Sequence, residues 1–170
     1  MTPSRVPRGA GGRVNERGSL VRRGNGTLYP TVDRSVLVRV TTADGAVGWG
    51  ETYGICAPRA TCEIINDLLA PELLGREPDD DEAIWDDLYG LMRVRGCGSG
   101  FHTDAIAALD IALWDLRARA ANQPLWSLLG ERRHERIAGY VSGLPAATLE
   151  EKVAMARTFQ QQGHTAFKVH

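Results

Sequence analysis

At 170 residues the chain is long enough for one ordinary domain, or for one domain and part of another. Lys and Arg number 20 against 21 Asp and Glu, a formal charge of -1, which removes the electrostatic case for nucleic acid or an anionic membrane as partner. Hydrophobic residues make up 43%, and no run approaches the roughly 18 apolar residues of a membrane span, so a soluble globular protein is expected.

Residues 1–18 carry Arg5, Arg8, Arg13 and Arg17, four glycines, Pro3 and Pro7, and a single acid, Glu16. Such a segment holds no helix, so a disordered tail, or a start codon placed too far upstream, is expected there. Residues 19–22 read as a first strand, followed by a loop that reaches Asp33. The run Ser35-Val36-Leu37-Val38-Arg39-Val40 is β-branched and alternating, which predicts a strand. Asp44-Gly45 then signals a tight hairpin, and the returning strand is Val47-Gly48-Trp49-Gly50-Glu51-Thr52.

After Pro58 the period changes from two to about 3.6. Ile64, Ile65, Leu68 and Leu69 form one helical stripe that Pro71 is expected to close. Asp79, Asp80, Asp81 and Glu82 open the next helix, where the helix dipole favours acids. Adjacent carboxylates point apart around a helix, so a solvated helix start is preferred there to a metal site. Trp85, Leu88, Leu91 and Met92 are read as its buried face. Trp49, Trp85 and Trp114 are all read as core.

Gly96-Cys97-Gly98-Ser99-Gly100 precedes the longest helix. It lacks the Walker lysine, the third Rossmann glycine and a preceding strand, so a connector is favoured over a phosphate cradle. The long helix spans 103–121, capped by Thr103 or Asp104, with Ile106, Leu109, Leu113 and Leu116 as its stripe. Ala107, Ala108, Ile111 and Ala112 widen that stripe. Asp115 and Arg119 have favourable i,i+4 spacing.

Beyond Gly130 the pattern becomes strand (137–142), helix (148–162) and strand (166–170). That is a βαβ unit with parallel strands. Lys168 and His170, two apart on the last strand, point to one face. Cys56, Cys62 and Cys97 are odd in number and lack CxxC spacing, which predicts reduced thiols in a cytoplasmic protein. Asn25-Gly26-Thr27 is a chance sequon without a secretory signal.

Gly48-Trp49-Gly50-Glu51 after an Asp-Gly hairpin, the run from Ala108 to Leu116, Pro124, and Leu128-Leu129-Gly130 together resemble the enolase superfamily. They resemble in particular its mandelate racemase and muconate lactonizing branch, over about residues 20–170. The resemblance implies an α+β capping domain, a three-stranded meander plus a helical bundle, at residues 19–133. Residues 134–170 would then begin a (β/α) TIM-type barrel that this chain does not complete. It implies a small-molecule carboxylate or sugar-acid substrate, with neither nucleic acid nor membrane as partner. It also implies an enolate intermediate and a homo-oligomer at full length. The preferred activity is a sugar-acid dehydratase. A racemase or cycloisomerase, or a capping-domain fragment that catalyses nothing, are the other readings.

Lys168 matches the first lysine of the family's Lys-x-Lys on the second barrel strand, and His170 stands where the second would be. Both are read as catalytic. Abstracting a proton α to a carboxylate calls for a divalent metal and for a base tuned near working pH. Mg²⁺ is therefore implied, with its carboxylate ligands on later barrel strands beyond residue 170. No residue of this chain is assigned to the metal. Tyr29, in the loop before the hairpin, and Tyr53 and Ile55, after it, are expected over the substrate.

Overall fold

The computed structural model describes residues 11–54, 56–96 and 98–169. Expectations that fall on residues 1–10, Ile55, Cys97 and His170 lie outside the described residues. The chain builds an α+β unit followed by one short βαβ unit.

The first sheet is an antiparallel meander of β1 (Gly12–Val14), β2 (Ser19–Arg22) and β3 (Leu28–Pro30). Two expectations change here. Residues 11–18 are not all tail, because β1 pairs with β2 in the register Arg13↔Val21. The Asn15 side chain accepts the Arg17 and Ser19 amides, at 3.0 and 2.9 Å, and Gly18 supplies the positive φ of 76° that closes the turn. The second change is that residues 28–30, expected to lie in a loop, form β3 and pair with β2.

That hairpin is a separate two-stranded sheet, β4 (Ser35–Thr41) with β5 (Val47–Tyr53), in the register Val38↔Gly50. Its turn is longer than a two-residue Asp-Gly connection. The Gly45 amide donates to the Thr42 carbonyl, the Thr42 amide to that of Ala46, and Gly45 takes a φ of 91°. This is a type I turn followed by a left-handed glycine, the common three-residue solution. The Thr42 hydroxyl, and after it the Ala46 backbone, hold the Asp44 carboxyl below its usual range.

Strand parity divides β4 sharply. Val36 and Val38 are buried, whereas Leu37 and Arg39 are exposed. The buried side faces α4 (Phe101–Ala120), whose Ala105, Ala108, Leu109, Ala112, Leu113 and Leu116 are all buried. Ala107 and Ile111 instead face solvent. On β5 the facing positions are Gly48 and Gly50. An added Cβ would lie 2.1 Å from the Ala112 carbonyl oxygen at Gly48, and 1.9 Å from that of Ala108 at Gly50. Helix backbone therefore rests directly on strand backbone. The same helix closes the β5 edge, since Asp115 Oδ2 accepts the Trp49 amide at 2.8 Å and pairs with Arg119 Nε at 2.8 Å.

Truncating Asp115 to Ala should cost about 2 kcal/mol, because a strand amide loses a charged acceptor. Arg119→Ala should cost less than about 0.5 kcal/mol, since it removes only an exposed ion pair. Urea titrations of both variants, read against wild type, check the ordering.

Between hairpin and bundle, α1 (Pro58–Glu63) runs into a π-helical stretch (Ile64–Leu69) and then α2 (Ala70–Leu73). Pro71 does not stop the helix as expected. The Ala70 amide reaches back five residues to the Ile65 carbonyl, and this wider turn absorbs the clash a proline makes with the preceding turn. The register shift leaves Ile65 and Leu69 buried and Leu68 exposed.

In α3 (Asp81–Arg93) the buried residues are Ile84 and Leu88; Trp85 and Leu91 are exposed. Trp85 stacks at 5.0 Å between ring centroids on Tyr89, which itself packs against the core. Trp49 is exposed too and Trp114 half-buried, so none of the three tryptophans fills the core as expected. Helix α4 begins two residues before the predicted start. Gly100, not Thr103 or Asp104, is its N-cap, and the Thr103 hydroxyl donates to the Gly100 carbonyl at 2.9 Å.

After α5 (Leu125–Leu129) come β6 (Val141–Ser142), α6 (Leu149–Gln161) and β7 (Phe167–Lys168). Thr148 and Glu151 form a capping box at the start of α6. β6 and β7 are parallel, as the βαβ pattern requires, but each is two residues long. Residues 137–140 are not a strand, and Ile137 is exposed. Among the described residues each of these strands has a ladder partner on one side only, so few residues gain from extending it.

Candidate functional site

Lys168 sits on β7 directly beside Ser142 of β6. Paired residues of parallel strands share a face, and here Ser142 and Lys168 are exposed while Val141 and Phe167 are half-buried behind them. Lys168 thus presents its ammonium on an open face with a hydroxyl as neighbour. His170, expected on that face, lies outside the described residues. Ser142 was missed as a neighbour, although the parallel register of a βαβ unit places a residue of the first strand next to Lys168.

The two segments expected over a substrate are brought together. Tyr29 lies on β3, exposed, with the Arg22 guanidinium 5.5 Å above its ring and Arg22 Nη1 donating to its hydroxyl at 3.5 Å. Tyr53 ends β5 and is exposed. Just beyond it, the Gly54 amide donates to the Arg34 carbonyl at 3.1 Å, and Cys56 Sγ lies 3.9 Å from the Leu28 carbonyl oxygen. Of these two, only the Cys56 thiol contact reaches the strand that carries Tyr29. Ile55 falls between these two fastenings but outside the described residues. Arg22 is a polar partner that pattern reading missed, since nothing in its spacing marks it.

Other candidates recede. Among the described residues no group of three or more His, Cys, Asp or Glu could hold a metal ion. His102 is buried with Nε2 3.2 Å from the Leu88 carbonyl oxygen, which ties α4 to α3. A cleft of about 1040 Å³ runs along β4, bounded by Leu73, Arg76, Ile84 and Leu116; its lining includes neither tyrosine nor Lys168. No helix among the described residues is long and apolar enough to cross a membrane.

Against known proteins, the model of the mandelate racemase / muconate lactonizing enzyme N-terminal domain matches residues 28–130. The D-galactonate dehydratase family member RspA of Cellvibrio japonicus is 32% identical over 134 residues, covering 79% of this chain and 33% of that protein. A crystal structure of an enolase superfamily member from Agrobacterium tumefaciens superposes with a TM-score of 0.87 at 52% identity, over 94% of this chain and 41% of that one. A mandelate racemase/muconate lactonizing protein from Paracoccus denitrificans, complexed with magnesium, gives 0.67 at 35% identity over 79% and 37% of the two chains. The chain spans about a third of the length of the curated relatives it matches.

Proposed function

Because this chain belongs to the mandelate racemase/muconate lactonizing enzyme family of the enolase superfamily, we propose that it is the capping domain and first barrel segment of a divalent-metal-dependent dehydratase of sugar acids. One observation carries the reading. A capping domain of this family is followed in the same chain by a parallel βαβ unit that presents Lys168 on its open face.

In this reading Lys168 takes the proton α to the substrate carboxylate, and Ser142 lies near enough to donate a hydrogen bond to the bound acid. His170, two residues on in the sequence, is the second candidate base. Tyr29, Tyr53 and Ile55 close over the sugar chain, with Arg22 holding the Tyr29 ring in place. After the α proton is lost, the C–O bond at the β carbon breaks and the hydroxyl takes up a proton and leaves as water; the resulting enol tautomerises to a 2-keto-3-deoxy acid. Among the described residues no group of three or more His, Cys, Asp or Glu could hold a divalent cation. Its ligands are assigned to residues that follow this chain in a longer polypeptide. The Cellvibrio relative, a D-galactonate dehydratase family member, and the magnesium in the Paracoccus relative support the chemistry.

The test is a panel of aldonic and aldaric acids offered to the polypeptide extended through its barrel, with 2-keto-3-deoxy acid formation as readout. Turnover should vanish with EDTA and return with Mg²⁺, and the 170-residue chain alone should give none. Exchange of the α hydrogen, or lactone isomerisation, without loss of water would move the assignment to a racemase or cycloisomerase.

A further inference from the structure

The first sheet and the link that follows it carry an excess of positive charge that the chain as a whole lacks. Residues 11–34 contain Arg13, Arg17, Arg22, Arg23 and Arg34 against Glu16 and Asp33, in a protein whose formal charge is -1. Strand pairing brings one of these arginines to a candidate substrate residue. Leu20 and Arg22 alternate onto one face of β2, and Tyr29 shares that face because it is paired with Leu20. On this face Leu20 is buried, Arg22 half-buried and Tyr29 exposed.

Arg22 and Tyr29 are diagonal neighbours, a separation that long side chains can span. The guanidinium carbon lies 5.5 Å from the ring centroid, and Nη1 donates to the Tyr29 hydroxyl at 3.5 Å. Across on β1 the partner of Arg22 is Gly12, which has no side chain to cover it. No ion pair among the described residues includes Arg22. Residues 1–10 contain neither Asp nor Glu, so the stretch preceding β1 supplies no carboxylate side chain to it. A half-buried guanidinium laid on an aromatic ring, with its fork unmatched by a protein carboxylate, suits an anion held by two parallel N–H···O bonds.

We propose that Arg22, together with the Tyr29 hydroxyl, binds a second anionic group on the substrate, at the end remote from the carboxylate that Lys168 serves. The inference rests on the reading in which Tyr29 closes over the sugar chain. It narrows the substrate from sugar acids in general to those that are dianions. A terminal carboxylate, as in an aldaric acid, and a terminal phosphate ester offer the guanidinium the same chemistry. The Tyr29 hydroxyl accepts from Arg22 and turns its own proton to the anion. A neutral CH2OH end would leave the guanidinium with no charge to meet. No bond forms or breaks at this end, so Arg22 acts on affinity and on the choice of substrate.

The experiment uses the polypeptide extended through its barrel and three acids of matched stereochemistry that differ at the last carbon: CH2OH, carboxylate or phosphate ester. Dissociation constants are measured by calorimetry with Mg²⁺ present, and the products are analysed for loss of water. One of the two dianions should bind about ten- to a hundredfold more tightly than the aldonate, and which one it is identifies the terminal group. Arg22→Gln should bring that ratio close to one, and Arg22→Lys should retain part of it. The ratio separates two roles, because an arginine that only held the Tyr29 ring would weaken all three acids alike. Dianions bound no more tightly than the aldonate, or a preference that survives Arg22→Gln, overturns the proposal; water lost from the aldonate would then leave the dehydratase reading standing. An Arg22-dependent preference without loss of water upholds the proposal and removes that reading instead.

Discussion

Gly50→Ala is expected to lower the stability of the capping domain by about 3 to 5 kcal/mol, or to prevent it from folding. Its Cβ would fall 1.9 Å from the Ala108 carbonyl oxygen and 2.9 Å from the Ala112 nitrogen. Those are helix backbone atoms, and no rotamer change can move them. Relief requires α4 to lift from the hairpin, which opens the contact that buries Val36 and Val38 against Leu109 and Leu113. Gly48→Ala should behave alike, with Ala112 O at 2.1 Å and Leu116 Cβ at 2.7 Å. Gly90 serves as the control. It lies within α3 with nothing inside 4 Å of an added Cβ, so Gly90→Ala should stabilise by about 0.5 to 1 kcal/mol. Thermal and urea unfolding of the three variants would test the contrast, and a Gly50→Ala protein as stable as wild type would refute the packing account. Most domains hold only about 5 to 15 kcal/mol in total, so the predicted loss is a large share.

Lys168→Ala, made in the polypeptide that includes the rest of the barrel, is expected to reduce kcat by about 10² to 10⁴ while leaving the fold intact. The side chain is exposed on β7, so its removal opens no cavity. Lys168→Arg separates two roles. Arginine keeps the positive charge but cannot act as a base near neutral pH. If Lys168 moves the α proton, the arginine variant is as inactive as the alanine one. If Lys168 only neutralises the substrate carboxylate, arginine retains most of the turnover and the loss in the alanine variant falls mainly on KM. Solvent-deuterium incorporation at the α carbon, followed by mass spectrometry, would show directly which variant still breaks the C–H bond.

Much of this architecture can be read from local pattern. The alternation in residues 35–40 and 47–52 yields the hairpin, because one face had to be apolar, but its register is set by the three-residue turn. The 3.6 period locates α4 and α6. What fails is whatever depends on the neighbour. Trp85 looks like the anchor of α3, yet the buried diagonal is Ile84–Leu88, since the helix lies against α4 by that side. Pro71 reads as a stop, and only the wider turn before it shows that the helix continues. Residues 137–140 have strand composition but no partner strand to make them one. The candidate site is legible in the same uneven way. Lys168 and Tyr29 enter the candidate site through their place in a resemblance. Arg22 and Ser142 become visible only when strands are laid side by side.

The contact of α4 on the hairpin also has a consequence in time. Trp49 and the carboxylate that receives its amide are 66 residues apart in sequence. A two-stranded hairpin in water is marginal on its own. At about 5 to 20 residues per second, a ribosome that has finished β5 needs roughly 3 to 13 seconds to deliver Asp115. Through that interval neither strand edge is closed and the glycine-faced side has nothing to rest on. The nascent hairpin is then the part of the chain most exposed to wrong pairing, and its first stable form is set by when α4 leaves the exit tunnel.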